Sequence, residues 1–225
     1  MTYSITRYGE LASTNDLAKE LAADGAPEGT VIIAEKQSRG RGRAGHTFFS
    51  PRGGIYMSVI LRPGFPDYMA ITPAAAVAVC RALDMLGFDC GIKWVNDIYK
   101  DGKKVCGILT EASVTDGWAV LGIGINTVCP GPGAPEIAGW LYDDGCDNDK
   151  TAKLVLECFG KIYEDLPDRA FVDYYRQRSI LTGRKVIVNG KEYTYEGIDD
   201  DFSLIVSDKN KKIRFICGEV SVTPQ

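Results

Sequence analysis

Residues 92–125 read IKWVNDIYKDGKKVCGILTEASVTDGWAVLGIGI, and this stretch decides the fold class. Ile92–Trp94, Val105–Ala112 and Trp118–Ile125 are short apolar runs suited to strands, and Asp97–Lys100 leads into an Asp101-Gly102 turn. Asp116-Gly117 marks a second tight turn. Strands joined by such short turns must run antiparallel, so the centre of the chain is a meander. Working outward, Tyr3–Tyr8, Thr30–Glu35 and Ile55–Leu61 read as further strands. Ser13 and Thr14 are helix-capping types, followed by Leu17, Ala18, Leu21 and Ala22 at helical spacing, with Gly25 as the stop. Ala70–Leu86 is Ala-rich and reads as a long buried helix ending at Gly87. Val128–Pro135 reads as loop. Beyond it, Thr151–Leu166 reads as a helix with Leu154, Cys158, Ile162 and Tyr163 on one face. Pro167, a favoured first helical residue, should open another helix running to about Arg178. The class is α+β.

Near Leu181 the pattern changes. Arg184–Val188, Lys191–Gly197, Leu204–Val206, Lys212–Cys217 and Glu219–Val222 are short strands, and Asn189-Gly190 is a strong hairpin turn. These strands suggest a compact barrel, too small for great stability alone and expected to dock on the larger unit. The expected division is 1–180 and 181–225, with no internal repeat.

The chain has 225 residues, 26 Lys plus Arg against 30 Asp plus Glu, and a net charge of −4. That mild acidity argues against a dedicated duplex-binding protein. The only histidine, His46, excludes a His-rich zinc site and leaves one candidate for any Ser–His or Cys–His pair. The seven cysteines (Cys80, Cys90, Cys106, Cys129, Cys146, Cys158 and Cys217) form no CxxC pair and are expected to be free buried thiols in a reducing cytosol. The N-terminus lacks a signal-peptide stretch, and the apolar run Ala74–Val79 is too short to cross a bilayer. A cytoplasmic protein is expected.

Five constellations can carry chemistry. Gly40-Arg41-Gly42-Arg43-Ala44-Gly45 combines permissive backbone, several amide donors and two forked cations, which describes an anion site able to close over its ligand. A mobile solvated loop or a nucleic-acid patch has the same composition, and neither the GxxxxGK[ST] nor the GxGxxG pattern is present. Lys93, at the end of a strand, can face a developing anion, while Asn96 and Asp97 suit the start of the next turn. Gly107 lies in GILTE, and Gly122 and Gly124 lie in GIGIN. Glycines inside apolar strands suggest a flat ligand lying across the sheet, or a bulge. Ser13-Thr14-Asn15 can cap a helix and also suits a polar, uncharged ring.

The order and spacing of these stretches, STN, Gln37 with GRGRAG, SPRGGIYMS, KWVNDI, KKVCGILTE and GIGIN, resemble the biotin protein ligases, also called biotin–[acetyl-CoA-carboxylase] ligases. The resemblance covers Leu11 to Asn126, and the final GEVSV fits the family's small C-terminal domain. It implies a mixed, largely antiparallel sheet flanked by helices, like the class II aminoacyl-tRNA synthetases, with an SH3-like barrel appended. It implies ATP-dependent formation of biotinyl-5′-AMP, then transfer of biotin to a lysine of a biotin carboxyl carrier protein or domain. Mg²⁺ is expected on the ATP phosphates, with no protein side chain assigned to it. Ser13, Thr14 and Gln37 match positions that bind the ureido ring, with backbone help from Arg41 and Gly107, Asn15 in support and Gly40 in the loop. Arg41, Arg43 and Lys93 would supply positive charge to the transition state, Phe48 would stack on the adenine side, and Asn126 matches an adenine-recognising residue. Asp97 is left three roles: orienting Lys93, assisting a metal, or helping the acceptor lysine lose its proton.

STN begins at residue 13, which leaves no room ahead of it for a winged helix, so a monofunctional ligase without DNA binding is expected. No membrane association is expected, and a homodimer through an exposed sheet edge is allowed. Val95 stands where the family has proline, His46 where it often has arginine, and Phe48 where it often has tryptophan. Thr223-Pro224-Gln225 lack a basic residue that some members place near the nucleotide. The alternative enzyme is a lipoate–protein ligase or octanoyltransferase of the same fold. A nucleic-acid-binding module is the alternative of a different class, and net acidity speaks against it.

Overall fold

The computed structural model describes residues 1–222 apart from Pro66, Pro132, Asn210, Cys217 and Glu219. Thr223-Pro224-Gln225, Cys217 and the start of the last expected strand at Glu219 therefore lie outside the described residues. Seven strands form the first sheet: β1 (Ser4–Tyr8), β2 (Thr30–Ala34), β3 (Ile55–Leu61), β4 (Gly91–Lys93), β5 (Asp97–Lys100), β6 (Lys103–Ser113) and β7 (Trp118–Ile125). Their order is β1-β2-β3-β7-β6-β5-β4. Only β1 with β2 is parallel; the other neighbours are antiparallel, including the whole meander from β4 to β7. Among the described residues four α-helices accompany it: α1 (Thr14–Ala23), α2 (Ile71–Met85), α3 (Asn148–Glu164) and α4 (Val172–Gln177).

Alternation along the strands separates two layers. Ile55, Met57, Val59 and Leu61 of β3, with Leu121, Ile123 and Ile125 of β7, belong to the main core shared with α2 and α3. The opposite face takes α1 on Ile32, Ile60 and Val120, through Ala18 and Ala22. Tyr68–Met85 is long and apolar enough to span a membrane by composition alone, but two-thirds of it is buried inside this core.

A second, antiparallel sheet of the SH3-like type contains β8 (Lys185–Val188), β9 (Lys191–Ile198), β10 (Leu204–Asp208), β11 (Lys211–Phe215) and β12 (Val220–Val222), ordered β11-β10-β9-β8-β12. Asn189 and Gly190 both have positive φ (50° and 81°), as a two-residue hairpin turn requires. Val186, Val188, Leu204 and Val206 join the same core as the first sheet. The contact is specific: Trp94 Nε1 donates to Phe202 O at 2.7 Å, and Ile92 exchanges backbone bonds with Arg178 O and Ile180 N.

Two expected helices need correction. The buried face of α3 comprises Thr151, Ala152, Val155, Leu156, Phe159, Gly160, Ile162 and Tyr163, so it is rotated from the expected one; Leu154 and Cys158 sit at its border. The continuous helix from Pro167 is also absent. Leu166–Asp168 forms one 3₁₀ turn, Arg169 adopts φ 54°, and α4 starts only at Val172. Arg169 is held by Asp67, by Asp200 O and by the Phe202 ring, so tertiary contacts override the local helical pattern.

The cysteines are also less uniform than expected. Cys80, Cys90 and Cys106 are buried, Cys146 and Cys158 are half-buried and Cys129 is exposed; all six are free. Burial pushes the Cys90 thiol up to about 12 and raises Cys80 and Cys106 as well. Alkylation of the native protein near pH 7.5 is therefore expected to modify Cys129 well before Cys80, Cys90 and Cys106, read by peptide mass mapping; simultaneous labelling would contradict the packing. Phe159→Ala should destabilise by about 3–5 kcal/mol in urea unfolding, against under about 2 kcal/mol for border residue Leu154→Ala. A reversed order would restore the originally expected face.

Candidate active site

One cavity of about 960 Å³ opens on the α1 face of the first sheet. Its bed is set by sheet register. Gly107 of β6 faces Gly124 of β7, Leu109 faces Gly122, and on β3 Tyr56 and Ser58 face Gly124 and Gly122. The glycines do make room for something flat, but it comes from the protein itself. A Cβ at Gly107 would lie 2.8 Å from the Phe48 ring, one at Gly124 2.5 Å from it, and one at Gly122 would collide with the Asn15 amide. Gly107, Gly122 and Gly124 nonetheless all line the cavity.

At one end of the bed sits the start of α1. Ser13 caps it, accepting from Asp16 N at 3.4 Å, and Ser13, Thr14 and Asn15 are all buried. Gln37 Oε1 accepts from Thr14 N at 2.8 Å, and its Nε2 donates to Ser50 Oγ at 2.9 Å. The base of the glycine–arginine loop is stitched to the same place by Ser38 N→Leu11 O and Arg39 N→Ala12 O. The loop then closes on itself through Gly42 N→His46 O and Phe48 N→Gly40 O. Gly40 has no room for a side chain beside Phe48 O and Ser50 Oγ.

The loop's cations diverge. Arg41 pairs with Asp16 at 2.5 Å and approaches Glu111 at 3.7 Å. Arg43 donates to Asn96 Oδ1 at 3.1 Å, and Asn96 Nδ2 in turn holds Ile108 O and Asp97 Oδ1. Asn96 is thus a bracket between loop and sheet. Lys93 ends β4, with its Nζ 5.6 Å from the centre of the Tyr99 ring. Burial, with a smaller contribution from Asp97, pushes the Tyr99 phenol up to about 12, so it stays protonated beneath that cation.

Asp97 pairs with Lys104 at 2.7 Å, and Lys104 Nζ also lies 5.9 Å from the Phe48 ring centre. Sequence reasoning missed Lys104. Between Ile98 and Tyr99 of β5 the register on β6 jumps from Cys106 to Lys104, which leaves Val105 without a β5 partner. This bulge keeps Val105 and Cys106 buried together and turns Lys104 to the cavity, where regular alternation would put it opposite Gly107. The only legible signal was its place beside a tight turn.

Of the residues expected at the site, Ser13, Thr14, Asn15, Gln37, Arg41, Arg43, Phe48, Lys93, Asp97 and Gly107 line the cavity, and so does His46. Gly40 and Asn126 do not; Asn126 Nδ2 donates to Lys104 O at 3.1 Å. The second sheet also contributes to the rim, through Ile187, Asn189, Gly190, Val220 and Ser221. Among the described residues, no three His, Cys, Asp or Glu side chains come together to hold a metal.

Comparison with known proteins agrees with this architecture. The bifunctional ligase/repressor BirA of Bacillus subtilis (strain 168) is 35% identical over 227 residues, which cover 92% of this chain and 70% of that protein. The biotin–[acetyl-CoA-carboxylase] ligase of Paracoccus denitrificans is 29% identical, over 86% of this chain and 90% of its own. Among solved structures, the biotin protein ligase from Aquifex aeolicus in complex with biotin and ATP has a TM-score of 0.87 at 25% identity, covering 99% of both chains. The model of the biotin/lipoate A/B protein ligase family matches residues 9–126, which take in the α1 cap, the arginine loop and the glycine bed. The chain that builds this cavity belongs to the biotin/lipoate A/B protein ligase family.

Proposed function

We propose that the chain is an ATP-dependent biotin–protein ligase of the biotin–[acetyl-CoA-carboxylase] type. The observation that carries this reading is one cavity in which an uncharged polar end (Ser13, Thr14 and Gln37) gives way to four cations, Arg41, Arg43, Lys93 and Lys104. A ligand with a polar ring at one end and a carboxylate at the other fits that gradient, with the phosphates of ATP beside the carboxylate. A lipoyl ring has no N–H or C=O for Thr14 and Gln37, so the polar end would be left unpaired, which disfavours the lipoate alternative.

In the first step a carboxylate oxygen of biotin bonds to the α-phosphorus of ATP while the bond to pyrophosphate breaks. Both reactants are anions, and the transition state gathers negative charge inside the cavity that these cations line. In the second step the amine of a carrier lysine bonds to the acyl carbon, AMP leaves with the former carboxylate–phosphorus oxygen, and the amine loses a proton. Asp97 fits best as the residue that positions Lys104, given their 2.7 Å pair. The donor set around the cavity is cationic and suits phosphate; the described residues do not build a site for Mg²⁺, which would arrive on ATP, and no step is assigned to it. The carrier of an acetyl-CoA carboxylase is the proposed macromolecular substrate. The outer edge of β1, which pairs only with β2, is where a homodimer would extend the sheet.

The decisive assay is biotin-dependent exchange of labelled pyrophosphate into ATP. Wild type should catalyse it, and Lys93→Ala and Lys104→Ala should each lower the rate by about 100-fold or more. Wild type that is inert with biotin but active with lipoate would overturn the reading. Closure of the loop over a hydrolysable mixed anhydride gives a second expectation. Biotin plus ATP should slow tryptic cleavage at Arg41 and Arg43, and Arg41→Ala should release free biotinyl-AMP faster. Equal cleavage with and without ligands would show that the loop does not cover the product.

A further inference from the structure

We infer that Ser58, a buried residue of β3 that does not line the cavity, sets the hydrogen-bond polarity of the pocket for the ureido ring, through a relay from Glu111 to Thr14. The inference rests on the ligase reading and names a positioning residue and a specificity rule for it.

The argument is a count of hydrogens. Asn15 Nδ2 lies 2.9 Å from Glu111 Oε2 and 3.4 Å from Leu109 O, two groups that only accept, so the amide cannot be turned around. Glu111 is engaged on its other oxygen as well, accepting from Lys19 Nζ at 2.7 Å. Asn15 Oδ1 is therefore an acceptor, 2.6 Å from Ser58 Oγ, and it takes the single hydroxyl hydrogen of Ser58. Ser58 Oγ also lies 2.8 Å from Thr14 Oγ1. Two oxygens that close need a hydrogen between them, and Thr14 must supply it. Thr14 Oγ1 also lies 3.1 Å from Gln37 Oε1, an oxygen with a second lone pair open, but that oxygen is already paired with Thr14 N at 2.8 Å, and the shorter 2.8 Å contact to Ser58 has no other source of hydrogen.

The hydroxyl hydrogen of Thr14 thus points inward to Ser58, and a lone pair is left for the cavity. Ser58 is fully buried, so water cannot replace its part in the chain. Gly122 completes the device, because any Cβ there would collide with Asn15 Oδ1. Thr14 then presents an acceptor and selects a ring N–H over a ring oxygen at the same place. Asn15, with both ends of its amide occupied, serves as a link rather than a ligand contact.

The test uses calorimetric binding of biotin and of its two cyclic-carbamate isomers, in which one ring N–H is replaced by oxygen, to wild type and Ser58→Ala. Wild type should bind at least one isomer about 100-fold more weakly than biotin, because two acceptors then face each other. In Ser58→Ala the Thr14 hydroxyl is released and can turn to donate, so that ratio should fall below about tenfold. In pyrophosphate exchange the loss should appear in KM for biotin rather than in kcat. An unchanged ratio in folded Ser58→Ala overturns the relay alone. The wild-type ratio stands where the variant does not fold: both isomers within about threefold of biotin overturn the relay. A wild type that binds no biotin overturns the ligase reading and the relay together.

Discussion

Glycine at positions 107, 122 and 124 is the constraint on which the rest of the molecule depends. These residues stand on one face of two central, paired strands, and their missing side chains leave a shallow bed in the middle of the sheet. Two groups from distant parts of the chain descend into it, the Asn15 amide from the start of α1 and the Phe48 ring from the end of the arginine loop. Glycine within a strand is unfavourable by roughly 0.5–1 kcal/mol relative to alanine. Here that is offset by the packing of an aromatic ring and a fully bonded amide. Once the bed is empty of side chains on this face, the other face must hold the apolar core, and α2 and α3 cover it.

The same arrangement reconciles a cationic cavity with an acidic protein. The net charge of −4 describes the whole surface, whereas Arg41, Arg43, Lys93 and Lys104 are drawn from different segments to one place. Their partners lie to the side of the bed: Asp16 and Glu111 beside Arg41, Asp97 beside Lys104, and neutral Asn96 beside Arg43. The Arg41–Asp16 pair is well exposed, and pairs of that kind contribute about 0–1 kcal/mol. A contact that weak is given up at little cost. The interior bonds around Asn15 and Ser58 are of the opposite kind, buried and fully satisfied, and give the pocket a fixed shape.

Much of this was legible in the sequence. Ile55–Leu61 and Trp118–Ile125 are strands with the expected bounds, and Asp101-Gly102, Asp116-Gly117 and Asn189-Gly190 join strands as read. The clustering of STN, GRGRAG and the glycines around one site also followed from their resemblance to a known family. The misreadings share a cause. Lys104 was overlooked because a bulge at Val105 changes its side of the sheet, and periodicity carries no trace of a bulge. The helix from Pro167 failed because Arg169 is held from Asp67 and Asp200, far away in the sequence. Gly107 and Gly124 correctly signalled close approach, yet local sequence could not say that Phe48 is what approaches.

By itself the sequence determined most of the elements, the antiparallel meander and the turn types. Each of those depends on neighbours within a few positions: alternation, capping and the backbone freedom of glycine. Only the tertiary structure decided how the site residues are wired. It placed Lys104 beside Asp97, Asn96 between the loop and the sheet, and Ser58 between Thr14 and Asn15. The reason is that the direction of a hydrogen bond depends on which groups share a buried space. That is set by strand register and helix docking across 40 to 100 residues of chain, as in the separations of 43 between Ser58 and Asn15 and 96 between Asn15 and Glu111.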